Sequence, residues 1–319
     1  MDRRTILTLT ALSTLLLVLS GLWLFHSLGA GNRGFILQLR GAKLVGLIVV
    51  GLSVGVATVL FQTISANRVL TPSIMGFDAL YVLLQTLLVA GLGIAGFAGL
   101  SSGVKFAAEV ALMTLLASLL FGLLLGRQGA RDIPRTILTG VILGVMFRSM
   151  SQFVGRVLDP NEFAVVQGAS FASFSRVEVG LLPYATGLTV LGIALALRLS
   201  ARLDVLALGR DPAISLGLRF DALVIAILAL VAVLVSVSTA LVGPVTFFGL
   251  IVAGMAHGLT STARHDALLP MAGLIGANIL VGGQLLFERI MGQAGTLSIV
   301  VEFAGGLFFL FLLLKGRIR

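Results

Sequence analysis

At 319 residues the chain could make two soluble domains, but 58% hydrophobic and 11% charged residues exclude an ordinary water-soluble globule. The formal net charge of +9 would suit nucleic acid only if the basic residues clustered, and they are dispersed between apolar runs instead. Zero cysteines exclude disulfides and thiolate metal sites, and His26, His257 and His265 have no metal-ligand spacing, so neither a metal nor a bound cofactor is expected.

A hydrocarbon core of about 30 Å needs roughly 20 apolar residues per helix. About ten such runs fit, at 5–28, 44–65, 78–98, 105–125, 136–155, 179–198, 221–241, 245–260, 268–287 and 297–314. They predict an all-α, multi-pass membrane protein with one transmembrane domain over residues 1–319. The first run has a basic start and small residues at Gly29 to Gly31, as a signal peptide would, but it is too long for one. Arg3-Arg4 is likewise explained by a retained first helix.

Before the second run stand Arg40 and Lys43, and the run carries Gly51, Gly55 and Ala57, small residues that let helices approach closely. It ends in FQTISANRVLTPSIMGFD, where Gln62, Asn67, Pro72 and Gly76 crowd the membrane boundary. Pro72 removes an amide donor and disfavours helical geometry at Thr71, and Gly76 permits a reversal, so irregular backbone is expected there. Such backbone survives at membrane depth only when buried in protein or lining a cavity. Further on, Glu109 and Arg148 lie at similar depths in the fourth and fifth spans and are expected to pair; a proton or ion relay is the functional alternative.

The longest mainly polar interval is Arg198–Asp221, which still keeps apolar residues at Leu206, Leu208, Ile214 and Leu216. Asp211 and Pro212 suit the cap and first position of a short helix that Gly217 would stop. A folded, charged, half-apolar segment between two very apolar halves, about 199–220, reads as a surface that receives another protein.

A second break follows in GPVTFFGL, Gly243 to Leu250, with Gly243 and Pro244 at its start. LRGAKLV leading to LTPSIMGF, and LRFDALV leading to GPVTFFGL, suggest that the two halves are an inverted repeat. Assigning alternate loops puts twice as many Lys and Arg on the side of the termini and the 199–220 segment, which places that side in the cytoplasm. Arg40, Lys43 and Arg289 then fall on the outer side, where snorkelling to lipid headgroups is one explanation. No P-loop, nucleophile elbow, HExxH or paired catalytic carboxylates occur, so no catalytic residues are expected; if ATP drives the protein, another subunit binds it.

Taken together, these motifs resemble the FecCD-type permeases of binding-protein-dependent ABC transporters for iron-siderophores, haem and vitamin B12. Arg40, Lys43, Gln62, Asn67, Pro72 and Gly76 match that family's order of basic pair, Gln, Asn, Pro-containing turn and Gly. Leu208-Gly209, Ala213 and Leu216-Gly217 match its coupling pattern, Gly243 to Leu250 its Gly-Pro element, and Leu268-Leu269-Pro270 and Gly305-Gly306 its later motifs. LTPSIMGFDALY resembles the siderophore branch. Departures occur at Ala253-Gly254, His257, Glu302 and Leu307.

The resemblance implies a permease subunit, itself no enzyme, that passes a ferric siderophore across a bacterial inner membrane with both termini cytoplasmic. It implies a second permease, identical or different, two ATPases that hold ATP-Mg, and a periplasmic siderophore-binding protein. Leu206, Leu208, Gly209, Arg210, Asp211, Ala213, Leu216 and Gly217 would meet the ATPase. Arg40, Lys43 and Arg289 would meet the binding protein. Gln62, Asn67, Pro72, Gly76, Gly243 and Pro244 would shape the path or its helix breaks, and the departures at Glu302 and Leu307 leave the gate near the last span unassigned. Haem or vitamin B12 as cargo, and an ion-coupled secondary carrier, are the alternative readings.

Overall fold

The computed structural model describes residues 2–26, 32–125, 133–174, 177–290 and 297–314, the side chains at 121–125, 133–137, 289–290, 297–299, 309 and 311–314 excepted. Among the described residues there are helices and no strands. In chain order they are α1 (Arg3–Phe25), α2 (Arg33–Ser65), α3 (Phe77–Gly99), α4 (Ser102–Leu125), α5 (Ile133–Gly155), α6 (Pro160–Ala169) and α7 (Leu182–Arg198). There follow α8 (Ser200–Leu206), α9 (Arg210–Ser215), α10 (Phe220–Val242), α11 (Phe248–Leu259), α12 (His265–Leu285) and α13 (Leu297–Leu314).

Among the described residues, eight helices are long and apolar enough to cross a membrane. The expected eighth span is different, because α11 has 12 residues and so reaches only about 18 Å. Its second residue, Gly249, lies against Thr58 of α2, seven residues before α2 ends and therefore about 10 Å inside the bundle. α11 is thus a half-length helix that starts inside the bundle.

The centre of the bundle is α2, whose apolar window is 78% buried against 6% for α1. Its small residues explain the burial. A Cβ on Gly51 would lie 2.5 Å from the backbone of Gly276 and Ala277 in α12, and one on Gly55 would lie 2.6 Å from the Ala272 carbonyl oxygen. Only hydrogen at these positions lets the two backbones touch, the mode of association that prevails where lipid removes the hydrophobic drive. Polar bonds join the other helices to this pair. Ser53 and Thr189 hydroxyls meet at 2.8 Å between α2 and α7, and Asn278 Nδ2 donates to the Leu12 carbonyl at 3.1 Å between α12 and α1.

The two breaks are built alike. α3 begins after Gly76 and α11 after Phe247, and both capping residues have positive φ, 103° and 58°. Each is met by a glycine of the fifth helix in its half: a Cβ on Gly144 of α5 would lie 3.1 Å from the Gly76 Cα, and one on Gly305 of α13 would lie 2.5 Å from the Phe247 Cβ. The same device, a left-handed residue followed by a buried helix start beneath a glycine, therefore occurs twice.

Candidate functional site

The segment between α7 and α10 folds as two short helices joined at Gly209, whose φ of 100° makes the corner. α9 starts at Arg210, two residues earlier than Asp211 and Pro212 predict. Pro212 therefore sits inside the first turn, where the amides have no intrahelical partner and proline costs nothing. Gly217 ends α9 as expected: its φ is 84°, its amide donates to the Ile214 carbonyl at 2.9 Å, and Leu218 donates to the Ala213 carbonyl at 3.0 Å. This is the paired closing pattern that satisfies the last carbonyls of a helix.

Two of the apolar residues expected at a partner face inward. Leu206 is 3% exposed and Ala213 fully buried, so these hold the segment on the bundle and do not reach a partner. Leu208, Ile214 and Leu216 are 60%, 45% and 65% exposed. Beside them Arg210 donates to both carboxylate oxygens of Asp221, at 3.1 and 3.2 Å, so its charge steadies the segment, while Asp211 is exposed. The result is a firm scaffold carrying three bare aliphatic side chains.

The break after α2 is shaped by its own polar residues. Ala66 adopts a left-handed φ of 47°, Gln62 Nε2 donates to the Arg68 carbonyl at 2.5 Å, and Asn67 Oδ1 accepts the Val69 amide at 2.9 Å. Gln62 and Asn67 also line a cavity of about 380 Å³ together with Arg68, Ala207, His257 and His265. Pro72, Gly76, Gly243 and Pro244 are buried in the chain. The structure brings the two breaks together, because Thr246 Oγ1 donates to Asp78 Oδ2 at 2.7 Å.

Arg40 and Lys43 do not present free charges on the opposite end of the bundle. Arg40 is 8% exposed, and its guanidinium donates to the carbonyls of Leu24 and His26 at 2.8 and 2.9 Å, while its own carbonyl accepts Trp23 Nε1 at 3.0 Å. A cation there satisfies the open carbonyls at the end of α1 and opposes the helix dipole. Lys43 pairs with Glu288, which also accepts Gln284 Nε2 at 2.8 Å. These bonds engage both residues within the chain. The side chain of Arg289 lies outside the described residues. Arg40→Ala is expected to lower stability in detergent by about 2 kcal/mol, the worth of charged hydrogen bonds left unmade. A denaturation midpoint checks this; an unchanged midpoint with weakened docking would point to the docking role instead.

The expected Glu109–Arg148 pair is also corrected. Glu109, 3% exposed, accepts Gln85 Nε2 of α3 at 2.6 Å and stands 3.9 Å from Lys105 one turn earlier in α4. Arg148 is exposed on α5. Counting residues gives depth but no direction around the helix axis, and nearer partners satisfied the carboxylate.

Other residues emerged only from the coordinates. Asp204 of α8 accepts both the backbone amide and Nδ1 of His265, at 2.8 and 2.7 Å, and His265 Nε2 lies 2.7 Å from Thr63 Oγ1 of α2. Nothing in the sequence links these three positions, which are 61 and 202 residues apart. α6 was not expected either, although Asp159-Pro160 with Glu162, whose carboxylate accepts the Asp159 amide at 3.3 Å, is a helix-start signature.

A model of the FecCD transport family matches residues 5–315. The petrobactin import system permease protein YclO of Bacillus subtilis (strain 168) is 39% identical over 301 residues, 94% of this chain and 95% of that protein. The petrobactin import system permease protein FatC of Bacillus anthracis is 32% identical over 282 residues, covering 88% and 79%. A solved inward-facing structure of a metal-chelate type ABC transporter superposes with a TM-score of 0.83 at 23% identity, covering 98% of this chain and 99% of that one, a likeness of fold.

Proposed function

The chain belongs to the FecCD transport family, and from that premise we propose that it is the permease subunit of an ABC importer carrying a ferric siderophore inward. The observation that carries the cargo class is the 39% identity to a petrobactin import permease over 94% of the chain. The whole chain acts as one transmembrane domain in the cytoplasmic membrane of a bacterium, with both termini and the α8–α9 segment in the cytoplasm. It does no covalent chemistry. Two ATPase subunits hold ATP-Mg, a second permease completes the path, and a siderophore-binding protein delivers the loaded chelate from outside.

In this reading Leu208, Ile214 and Leu216 seat in the ATPase, with Asp211 at the polar margin, the usual anatomy of an interface. Gly209 and Gly217 fix the angle at which they are presented. Gln62, Asn67, Pro72, Gly76, Gly243 and Pro244 shape the two breaks, whose junction at Asp78 and Thr246 is the place where helix starts can shift together. ATP binding in the partner then changes the population of inward- and outward-open states through differential contacts.

Uptake by the reconstituted complex, supplied in turn with binding protein loaded with ferric petrobactin-type siderophore, ferric citrate, haem or vitamin B12, tests the cargo class. The ferric siderophore is expected to accumulate inside vesicles and the two tetrapyrroles to stay out. Preferential haem or vitamin B12 uptake would move the chain to another branch of the family.

A further inference from the structure

We propose that His265 is a positioning residue that ties the α8–α9 segment to the end of α2, so that movement at the ATPase-facing surface reaches the break at 66–76. The inference rests on the reading of the chain as an ATP-driven permease.

Three elements meet at this ring. Asp204 belongs to α8 and is flanked by Leu203 and Leu206, which are 0% and 3% exposed and fix α8 to the bundle. One oxygen of Asp204 takes the first amide of α12 and Nδ1 of the ring. Nδ1 meets the Asp204 carboxylate at 2.7 Å, and Nε2 lies 2.7 Å from Thr63 Oγ1, whose hydroxyl also donates to the Val59 carbonyl at 2.9 Å. Thr63 stands in the last turn of α2, three residues before Ala66 leaves helical geometry. The imidazole side chain is 4% exposed, so it is held on both edges and shielded from competing water.

The surroundings give the end of α2 room. A cavity of about 380 Å³ beside the ring is lined by Gln62, Asn67, Arg68, Ala207, His257 and Thr260. Gln62 is 4% exposed and its Oε1 has no hydrogen-bond partner among the described residues, so the last turn of α2 is incompletely satisfied where it faces the void. Packed, hydrogen-bonded elements transmit displacement, and an adjacent void permits it. His265 bridges the edge of that void. A purely structural role, capping α12, needs Asp204 and the amide of His265 but does not need Thr63.

That difference sets the experiment. The complete importer, with its ATPases and a binding protein loaded with ferric siderophore, is assembled in proteoliposomes, and iron delivered per ATP hydrolysed is measured. Thr63→Val is expected to lower this ratio at least fivefold while the ATPase stays bound and the unfolding midpoint stays near that of the unsubstituted protein. Thr63→Ser, which keeps the hydroxyl, is expected to restore the ratio, and His265→Gln to lower it. A wild-type ratio in Thr63→Val overturns the inference, as does a loss that Thr63→Ser fails to rescue. A wild-type complex that hydrolyses ATP but delivers no ferric siderophore refutes the functional reading itself, which sets that failure apart.

Discussion

Leu216→Asp is expected to yield a permease that reaches the membrane and engages its binding protein, yet neither retains the ATPase nor transports. The side chain is 65% exposed and follows the closed end of α9, so an aspartate there meets only water in the isolated chain and the fold is unaffected. At the contact with a partner the same carboxylate is buried without a counter-charge, which costs on the order of 2–5 kcal/mol. That corresponds to roughly 30-fold to several-thousandfold weaker association. Leu206→Asp serves as the internal contrast. It places the charge at a site 3% exposed, inside the α8 anchor, and is expected to reduce the folded permease itself. Copurification of the ATPase with each variant checks both; if Leu216→Asp pulls down and stimulates the ATPase normally, α9 is not the coupling surface.

Gly51→Val is expected to abolish accumulation of folded permease. The added Cβ alone would sit 2.5 Å from backbone atoms of Gly276 and Ala277, and backbone cannot turn aside as a side chain can. α2 and α12 would have to separate along the centre of the bundle, a cost on the order of 3 kcal/mol or more. Gly21→Ala, where a Cβ meets nothing within 4 Å, is expected to be neutral. Detergent-extracted yield and a thermal midpoint distinguish the pair, and equal stability of the two variants would remove the α2–α12 contact from its central place.

These examples also show what a sequence of this kind discloses. The crossings were legible because each needs an unbroken apolar run, and the two breaks because Pro72, Gly76, Gly243 and Pro244 interrupt such runs visibly. The half-length α11 was less plain, since an apolar stretch does not say at what depth it begins. The partners of Arg40, Lys43 and Glu109 within the chain were missed for one shared reason. Linear position placed the three residues correctly at one end or one depth of the bundle, but their partners Leu24, Glu288 and Gln85 are chosen by helix rotation and packing. Leu206 failed similarly: the segment is amphipathic, and only the fold decides which of its leucines face the bundle and which face a partner. The junction of Asp204, His265 and Thr63 was beyond reach because it joins three distant stretches through one ring.

The central claim is that this chain moves its cargo with force supplied by a separate ATPase, and the most direct measurement is uptake of ferric siderophore into proteoliposomes under two driving conditions. With ATPase and binding protein present, ATP in the compartment facing α8 and α9 and no ion gradient, the account predicts sustained accumulation that stops when ATP hydrolysis is blocked. Accumulation driven by a proton gradient in vesicles that contain the permease alone would contradict it.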